Sequence, residues 1–234
     1  MSSEIAAKGI AAYRAPSLFQ PHQARKALRD AHEGRIPPLM CLYLGLSTVS
    51  TARFIAPFGY DAVWLDWEHS SCNAETLTTM IHETIFMSEG RTIPFVRIPG
   101  PRPRRCRAQH VVSAAKYGTK TTKAAVTFQI ETLEGIDDLD AILTAVPDVD
   151  ACWLGTLDCR VSMNLPGNGG FGGTDPEWLD AVAKYTAVMK KHDKPMAGFA
   201  MGPKHGPDGP RKEFYLPICR RGGLDDMPAG SWSG

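Results

Sequence analysis

Short apolar runs alternate with helical patterns along most of this chain. Leu39-Met-Cys-Leu-Tyr-Leu44 and Ala62-Val-Trp-Leu-Asp-Trp67 read as strands, because each apolar run is too short for a helix. Ile93-Pro-Phe-Val-Arg-Ile98, Ala124-Ala-Val-Thr-Phe-Gln-Ile130, Ala151-Cys-Trp-Leu154 and Met196-Ala-Gly-Phe-Ala200 continue the series. Helical patterns fall between them, over residues 23–32 (closed by Gly34), 50–57, 109–117 (stopping at Gly118) and 137–146. Asn73 reads as the N-cap of a helix running to about Ser88, with Gly90 behind it. Thr174-Asp-Pro-Glu177 reads as a capping box opening a helix to about His192. Alternation of this kind predicts an α/β protein with a parallel sheet, either a (β/α) barrel or an open doubly wound sheet. About six strands are visible, where a closed barrel has eight.

Two stretches break the rhythm. Gly100-Pro-Arg-Pro-Arg-Arg-Cys-Arg107 is neither strand nor amphipathic helix, and reads as a solvated basic loop. Residues 203–234 are rich in Gly, Pro and Arg with almost no period. The expected organisation is an N-terminal arm and short helix over 1–35, a barrel domain over 36–202, and an irregular, disordered tail over 203–234.

Composition narrows the function classes. The 234 residues are 43% hydrophobic, enough for a substantial core, and the net charge of +1 points to neither nucleic acid nor a membrane surface as partner. No apolar stretch reaches the roughly 18 residues of a membrane span, and the first 20 residues lack the continuous apolar run of a signal peptide. Six cysteines with no CxxC pair read as reduced core thiols of a cytoplasmic protein.

The chemistry lies at the strand ends. Asp66, Glu68 and His69 crowd the end of the second strand, Arg97 sits near the end of the third, Glu131 ends the fourth, and Asp158 follows the fifth. A parallel sheet puts all carboxyl ends on one side, so these groups are expected to converge. Two carboxylates repel each other unless a cation lies between them, and with waters and a substrate oxygen they suit Mg²⁺ or Mn²⁺. Arginine offers a fork of donors to an oxyanion, and histidine moves a proton near neutral pH. Together these parts suit stabilisation of an enolate. Each residue also has a plainer reading. Glu131 could open the next helix, Asp158 could be a turn residue, Arg97 could pair for stability, and His69 could be structural. Asp66 and Glu68 are expected to orient neighbours instead of reacting.

These segments resemble the class II pyruvate aldolases of the HpcH/HpaI aldolase and citrate-lyase-β family. The resemblance rests on Leu42-Tyr-Leu-Gly-Leu-Ser47, Gly59-Tyr-Asp-Ala-Val-Trp-Leu-Asp-Trp-Glu-His69, Pro94-Phe-Val-Arg-Ile-Pro99, Gln129-Ile-Glu-Thr-Leu-Glu-Gly135 and Asp150-Ala-Cys-Trp-Leu-Gly-Thr-Leu-Asp-Cys-Arg160. It implies an incomplete (β/α)8 TIM-type barrel of the phosphoenolpyruvate/pyruvate-binding type. It implies retro-aldol cleavage of a 4-hydroxy-2-oxo acid to pyruvate and an aldehyde through a metal-bound enolate. Glu131 and Asp158 would ligate Mg²⁺, Mn²⁺ or Co²⁺, and Arg97 would contact the 2-oxo oxygen. His69 would serve in acid–base work with a bound water. Backbone N–H groups around Leu157 and Asp158 would take the substrate carboxylate, and Tyr43 would edge the pocket where relatives often carry Trp. A homo-oligomer, commonly a hexamer, is implied.

The chain departs from that pattern in two places. Only residues 98–130 separate Arg97 from Glu131, where relatives carry a further βα unit, and no clear eighth strand or final helix follows Ala200. Skipped coding sequence or a shifted frame would produce both, and sequencing the transcript decides it. A parallel barrel short of a strand leaves backbone groups unpaired, so weak or no aldolase turnover is expected of the chain as written. A decarboxylase or carbon–carbon bond-forming enzyme of the macrophomate synthase type, or an impaired paralogue, is the alternative.

Gly167-Asn-Gly-Gly-Phe-Gly172 satisfies G-x-G-x-x-G, but it lies far beyond its strand, and Asp175 and Glu177 would repel phosphate from the helix that follows. A loop over the mouth of the active site is the expected reading. The protein should therefore pass unretained through a nicotinamide-nucleotide resin; specific elution by NADH would reverse that.

Overall fold

The computed structural model describes residues 8–14, 23–98, 125–206 and 209–218, with 200–206 and 209–218 described as backbone alone. The basic run over 100–107, the helix expected over 109–117 and the end of the expected tail lie outside these residues. The chain divides into two compact units, Met1–Ala27 with Leu39–Ala125 and Leu28–Pro38 with Val126–Gly234. Helix α1, Ala24–His32, passes from the first unit into the second.

In the first unit β1 (Leu39–Leu44), β2 (Ala62–Asp66) and β3 (Ile93–Arg97) run parallel with β2 in the middle. Helices α2 (Val49–Ile55) and α3 (Ala74–Met87) connect them. Each helix starts where a side chain takes an orphan amide. Thr48 Oγ1 accepts from the Thr51 N–H at 3.2 Å, and Asn73 Oδ1 accepts from the Thr76 N–H at 2.8 Å. Helix α2 was expected to reach Pro57 but ends at Ile55 in a 3₁₀ turn, because a proline in its last turn cannot donate to the helical ladder.

Side chains alternate across β2 and its neighbours. One face carries Leu44, Val63 and Leu65, buried against Ala52, Leu77 and Met80 of the two helices. The other carries Tyr43, Trp64 and Phe95, which are partners in register. Their rings meet edge to face at 5.6 and 5.1 Å. One step further along that second face, the register pairs Asp66 with Arg97.

In the second unit β4 (Thr127–Ile130), β5 (Ala151–Leu154) and β6 (Met196–Gly198) are parallel, with β5 in the middle. Helices α4 (Leu133–Asp137) and α5 (Leu139–Ala145) follow β4, and α6 (Thr156–Ser162) and α7 (Pro176–Lys191) follow β5. Leu139, Leu143, Leu154, Trp178, Tyr185 and Met189 are buried in its core. The Tyr185 hydroxyl donates to the Cys152 carbonyl at 2.9 Å.

Three expectations are corrected here. The helix predicted over 137–146 begins earlier, at Leu133, with Thr132 as its N-cap, and breaks at Asp138. The capping box at Thr174 does not form: the N-cap is Asp175, whose carboxylate turns to Arg160. Part of the expected disordered tail forms an antiparallel hairpin, β7 (Ala200–Gly206) and β8 (Gly209–Ile218), with β8 antiparallel to β6. Its ladder is made by the backbone, so a Gly- and Pro-rich sequence showed no side-chain period. The described chain thus has the six parallel strands expected, plus an antiparallel pair.

The two units also share a device. Asp61-Ala-Val-Trp-Leu-Asp66 and Asp150-Ala-Cys-Trp-Leu-Gly155 are near copies. The leading aspartate of each takes an amide near the head of the neighbouring strand: Met40 N–H to Asp61 at 2.7 Å and Val126 N–H to Asp150 at 2.8 Å. The copies differ at the carboxyl end, where the site residues lie. Asn73→Ala should lower unfolding free energy by about 1 kcal/mol in urea titration, and Asn73→Gly by only a few tenths. Equal losses would show that the cap is not what starts α3.

Candidate functional site

Asp66 organises the first unit's strand ends. Its carboxylate accepts from Arg97 Nε at 3.0 Å, from Arg97 Nη2, from the Tyr43 hydroxyl at 2.7 Å and from the His69 backbone N–H at 3.0 Å. Its carbonyl accepts from Ser47 Oγ at 2.8 Å and from Ser70 Oγ. Burial alone would push the Asp66 carboxyl upward, but the bonds from Arg97, the His69 amide and Tyr43, with the Arg97 charge, outweigh it and hold it at about 2. The same pairing raises Arg97 above the usual guanidinium range against its own burial. Burial raises the Tyr43 phenol, and the adjoining Asp66 carboxylate adds to that.

The plain reading of Arg97 as a stabilising ion pair is therefore part of the picture. The pair is two-pronged and uses Nε and Nη2. Among the described residues nothing bonds Nη1, and the side chain is 14% exposed. The guanidinium lies 5.2 Å from the Trp64 ring and 5.9 Å from the Tyr43 ring. His69 is held by its backbone while its side chain is 63% exposed, with Nε2 3.9 Å from Glu68 Oε2. Glu68 Oε2 also stands 4.0 Å from Arg97 Nε. This cluster presents a guanidinium nitrogen and an imidazole, groups that receive an anion and move a proton.

In the second unit Glu131 and Asp158 leave the carboxyl ends of adjacent strands. Glu131 follows β4, and Asp158 stands in the first turn of α6 after β5. Two plainer readings fail in detail. Glu131 is not in a helical first turn, since Thr132 caps α4 and Glu134 is the first-turn acid. Asp158 is not a loop turn residue; it is helical, and an acid there also suits the helix dipole. Gly155 explains how Glu131 is seated. A Cβ on residue 155 would lie 2.9 Å from Glu131 Cγ and 3.4 Å from Gln129 Nε2, so the glycine leaves room for Glu131 to fold across the end of β5. Asp158 is exposed, Leu157 is half-exposed, and no side chain caps the start of α6.

Sequence reasoning missed Gln129, the Tyr43–Asp66 bond and the Arg160–Asp175 pair. The first two follow from register and alternation: Gln129 lies two residues before Glu131, and Tyr43 pairs with Trp64, two before Asp66. The third joins distant residues and carried no local signal. His32, expected at a helix end, is there but buried, with Nε2 3.1 Å from Asp193. The thiols behave as core groups, burial pushing Cys152 up to about 12 and Cys159 to about 11. The Gly167–Gly172 run forms a short 3₁₀ turn beyond α6, not the strand-to-helix turn of a dinucleotide site.

No family model matches the sequence, and no curated protein does. Solved structures do. Macrophomate synthase superposes with a TM-score of 0.68 at 22% identity, over 84% of this chain and 83% of that one. An HpcH/HpaI aldolase/citrate lyase family protein from Burkholderia cenocepacia J2315 gives 0.61 at 21% identity, over 76% and 84%. The citrate synthase SbnG gives 0.59 at 18% identity, over 79% and 82%. The chain has their barrel fold. That agrees with the architecture expected from the strand-end motifs. Among the described residues no helix is long and apolar enough to cross a membrane.

The buried carboxylate gives a pH prediction. Asp66 sits at about 2 when folded, below the roughly 3.9 of an unfolded aspartate. Its stabilising contribution is therefore complete above about pH 4 and lost as pH falls towards 2, amounting to about 2 kcal/mol. Urea midpoints should fall more steeply over that window in the wild type than in Asp66→Asn. Parallel slopes would mean that Asp66 carries no such charge.

Proposed function

We propose that this chain belongs to the HpcH/HpaI aldolase and citrate-lyase-β family. On this reading it is a cytoplasmic homo-oligomer that cleaves a 4-hydroxy-2-oxo acid, possibly a dioate, to pyruvate and an aldehyde with a divalent cation. One observation carries the reading: two carboxylates, Glu131 and Asp158, leave the ends of the adjacent parallel strands β4 and β5, where a glycine clears space for one of them. The donor set fits a hard cation. Among the described residues no three His, Cys, Asp or Glu side chains gather as a closed metal cluster. Two carboxylates that leave positions for water and substrate oxygens suit Mg²⁺, Mn²⁺ or Co²⁺ better than zinc. Glu131 and Asp158 would hold the cation, which would supply Lewis-acid stabilisation of negative charge growing on the substrate.

The chain's own residues supply the rest. Backbone N–H groups of Leu157 and Asp158 receive the substrate carboxylate. Arg97 Nη1 donates to the 2-oxo oxygen, where negative charge grows, while Asp66 fixes the guanidinium's angle through Nε and Nη2. His69, working through a water, takes the proton of the 4-hydroxyl. The C3–C4 bond then breaks, its electron pair forms the enolate of pyruvate, and the 4-hydroxyl carbon becomes the aldehyde carbonyl. Protonation at C3 completes pyruvate. Tyr43 borders the substrate with its ring edge. The fold shared with macrophomate synthase keeps a second reading in view, in which the same groups stabilise an enolate made by decarboxylation for bond formation.

A panel of 4-hydroxy-2-oxo acids, assayed for pyruvate with and without chelator, tests this. Release is expected to be slow, abolished by EDTA and restored by Mn²⁺. His69→Ala and Arg97→Ala should each lower kcat by about 10²–10³. Chelator-insensitive release, or full activity in both variants, would contradict the assignment.

A further inference from the structure

Arg160 is fully buried, four residues after Thr156 on α6, in a position where an apolar side chain would serve stability as well. Its guanidinium is used as a clamp. Nε donates to the Pro166 carbonyl at 2.7 Å and Nη2 to Asp175 Oδ2 at 2.7 Å, with the group 5.5 Å from the Trp178 ring. The two anchor points bracket the Gly167–Gly173 loop. Asp175 is the N-cap residue of α7, yet its carboxylate makes no cap bond and pairs with Arg160 instead. Gly173 is shaped to this contact: a Cβ there would lie 2.5 Å from Arg160 Nη1 and 2.7 Å from Asp175 Oδ2.

The bracketed loop rests on the first turn of α6. A Cβ on Gly167 would lie 2.7 Å from Leu157 Cδ1, and one on Gly170 would lie 4.0 Å from Leu157 Cβ. Among the described residues the hydrogen bonds of the loop's middle are internal to it: Gly170 N–H to Gly167 O, Phe171 N–H to Asn168 O, and Asn168 Nδ2 to Gly172 O. What fastens the loop to α6 is the Arg160 fork together with the contact on Leu157.

The geometry points to Arg160 as a positioning residue. With Asp175 and Gly173 it clamps the glycine loop onto Leu157, and so fixes the helical turn that presents Asp158. The clamp itself stands on the contacts above; its consequence for a cation rests on the proposed function. The fork matters because it closes a loop from two points, which a single ammonium or an apolar side chain cannot do. Partners that orient a ligating carboxylate typically alter metal affinity by about 10–100-fold when removed.

The test uses the whole chain and two variants approached from opposite sides: Asp175→Asn, which weakens the pair, and Gly173→Ala, which keeps both charges and displaces the guanidinium. Amide hydrogen exchange without metal reads the clamp, and Mn²⁺ titration followed by electron paramagnetic resonance reads its consequence. Exchange over residues 156–159 and 167–173 should quicken at least tenfold while the core strand β5 keeps wild-type protection. Mn²⁺ affinity should fall about 10–100-fold. Wild-type exchange in both segments would overturn the clamp. Faster exchange with unchanged Mn²⁺ affinity would overturn its role at Asp158. A wild-type protein that binds no Mn²⁺ would overturn the cation assignment and that role together, while the exchange result still decides the clamp.

Discussion

A carboxylate with no exposed surface must be compensated on the spot, and the Asp66–Arg97 pair is how this chain does it. The two residues sit opposite each other because β2 and β3 are parallel and in register from Ala62 and Ile93 onward. A slip of either strand by one residue would turn its member of the pair to the helix-covered face, where Leu65 and Val96 now pack. The charge pair and the hydrophobic face therefore specify the same register. Once the pair is set, Tyr43, the His69 backbone and Arg97 Nη1 all acquire fixed positions, so a structural necessity also arranges the groups that chemistry requires.

The second unit resolves the same strand motif differently. Where the first copy ends in Asp66, the second ends in Gly155, and the acid comes from the neighbouring strand as Glu131. Glycine there avoids a buried charge needing its own partner and leaves room for the Glu131 side chain. Asp66 is an ionised anchor, neutralised by Arg97 on the neighbouring strand.

Much of this was legible in the sequence. β1 and β5 were bounded correctly, because short apolar runs flanked by polar residues have few alternatives. The Asn73 cap was legible because a side-chain acceptor before an apolar period has one use there. The strand-end acids stood out because a core does not tolerate them unpaired. What escaped detection depends on contacts between distant residues. Asp175 looks like the middle of a capping box until Arg160 claims it. The start of α4 was hidden because Thr132 is followed at the third position by Gly135, not by a glutamate that would mark the turn. The β7–β8 pair was hidden because a backbone ladder through glycine and proline leaves no period to read.

The account stands on Glu131 and Asp158 serving one cation. Calorimetric titration of Mn²⁺ with oxalate present, as a mimic of the enolate, tests that most directly. One Mn²⁺ site per chain is expected, strengthened by oxalate and lost in both Glu131→Gln and Asp158→Asn. Undiminished binding in either variant, or none in the wild type, would contradict it.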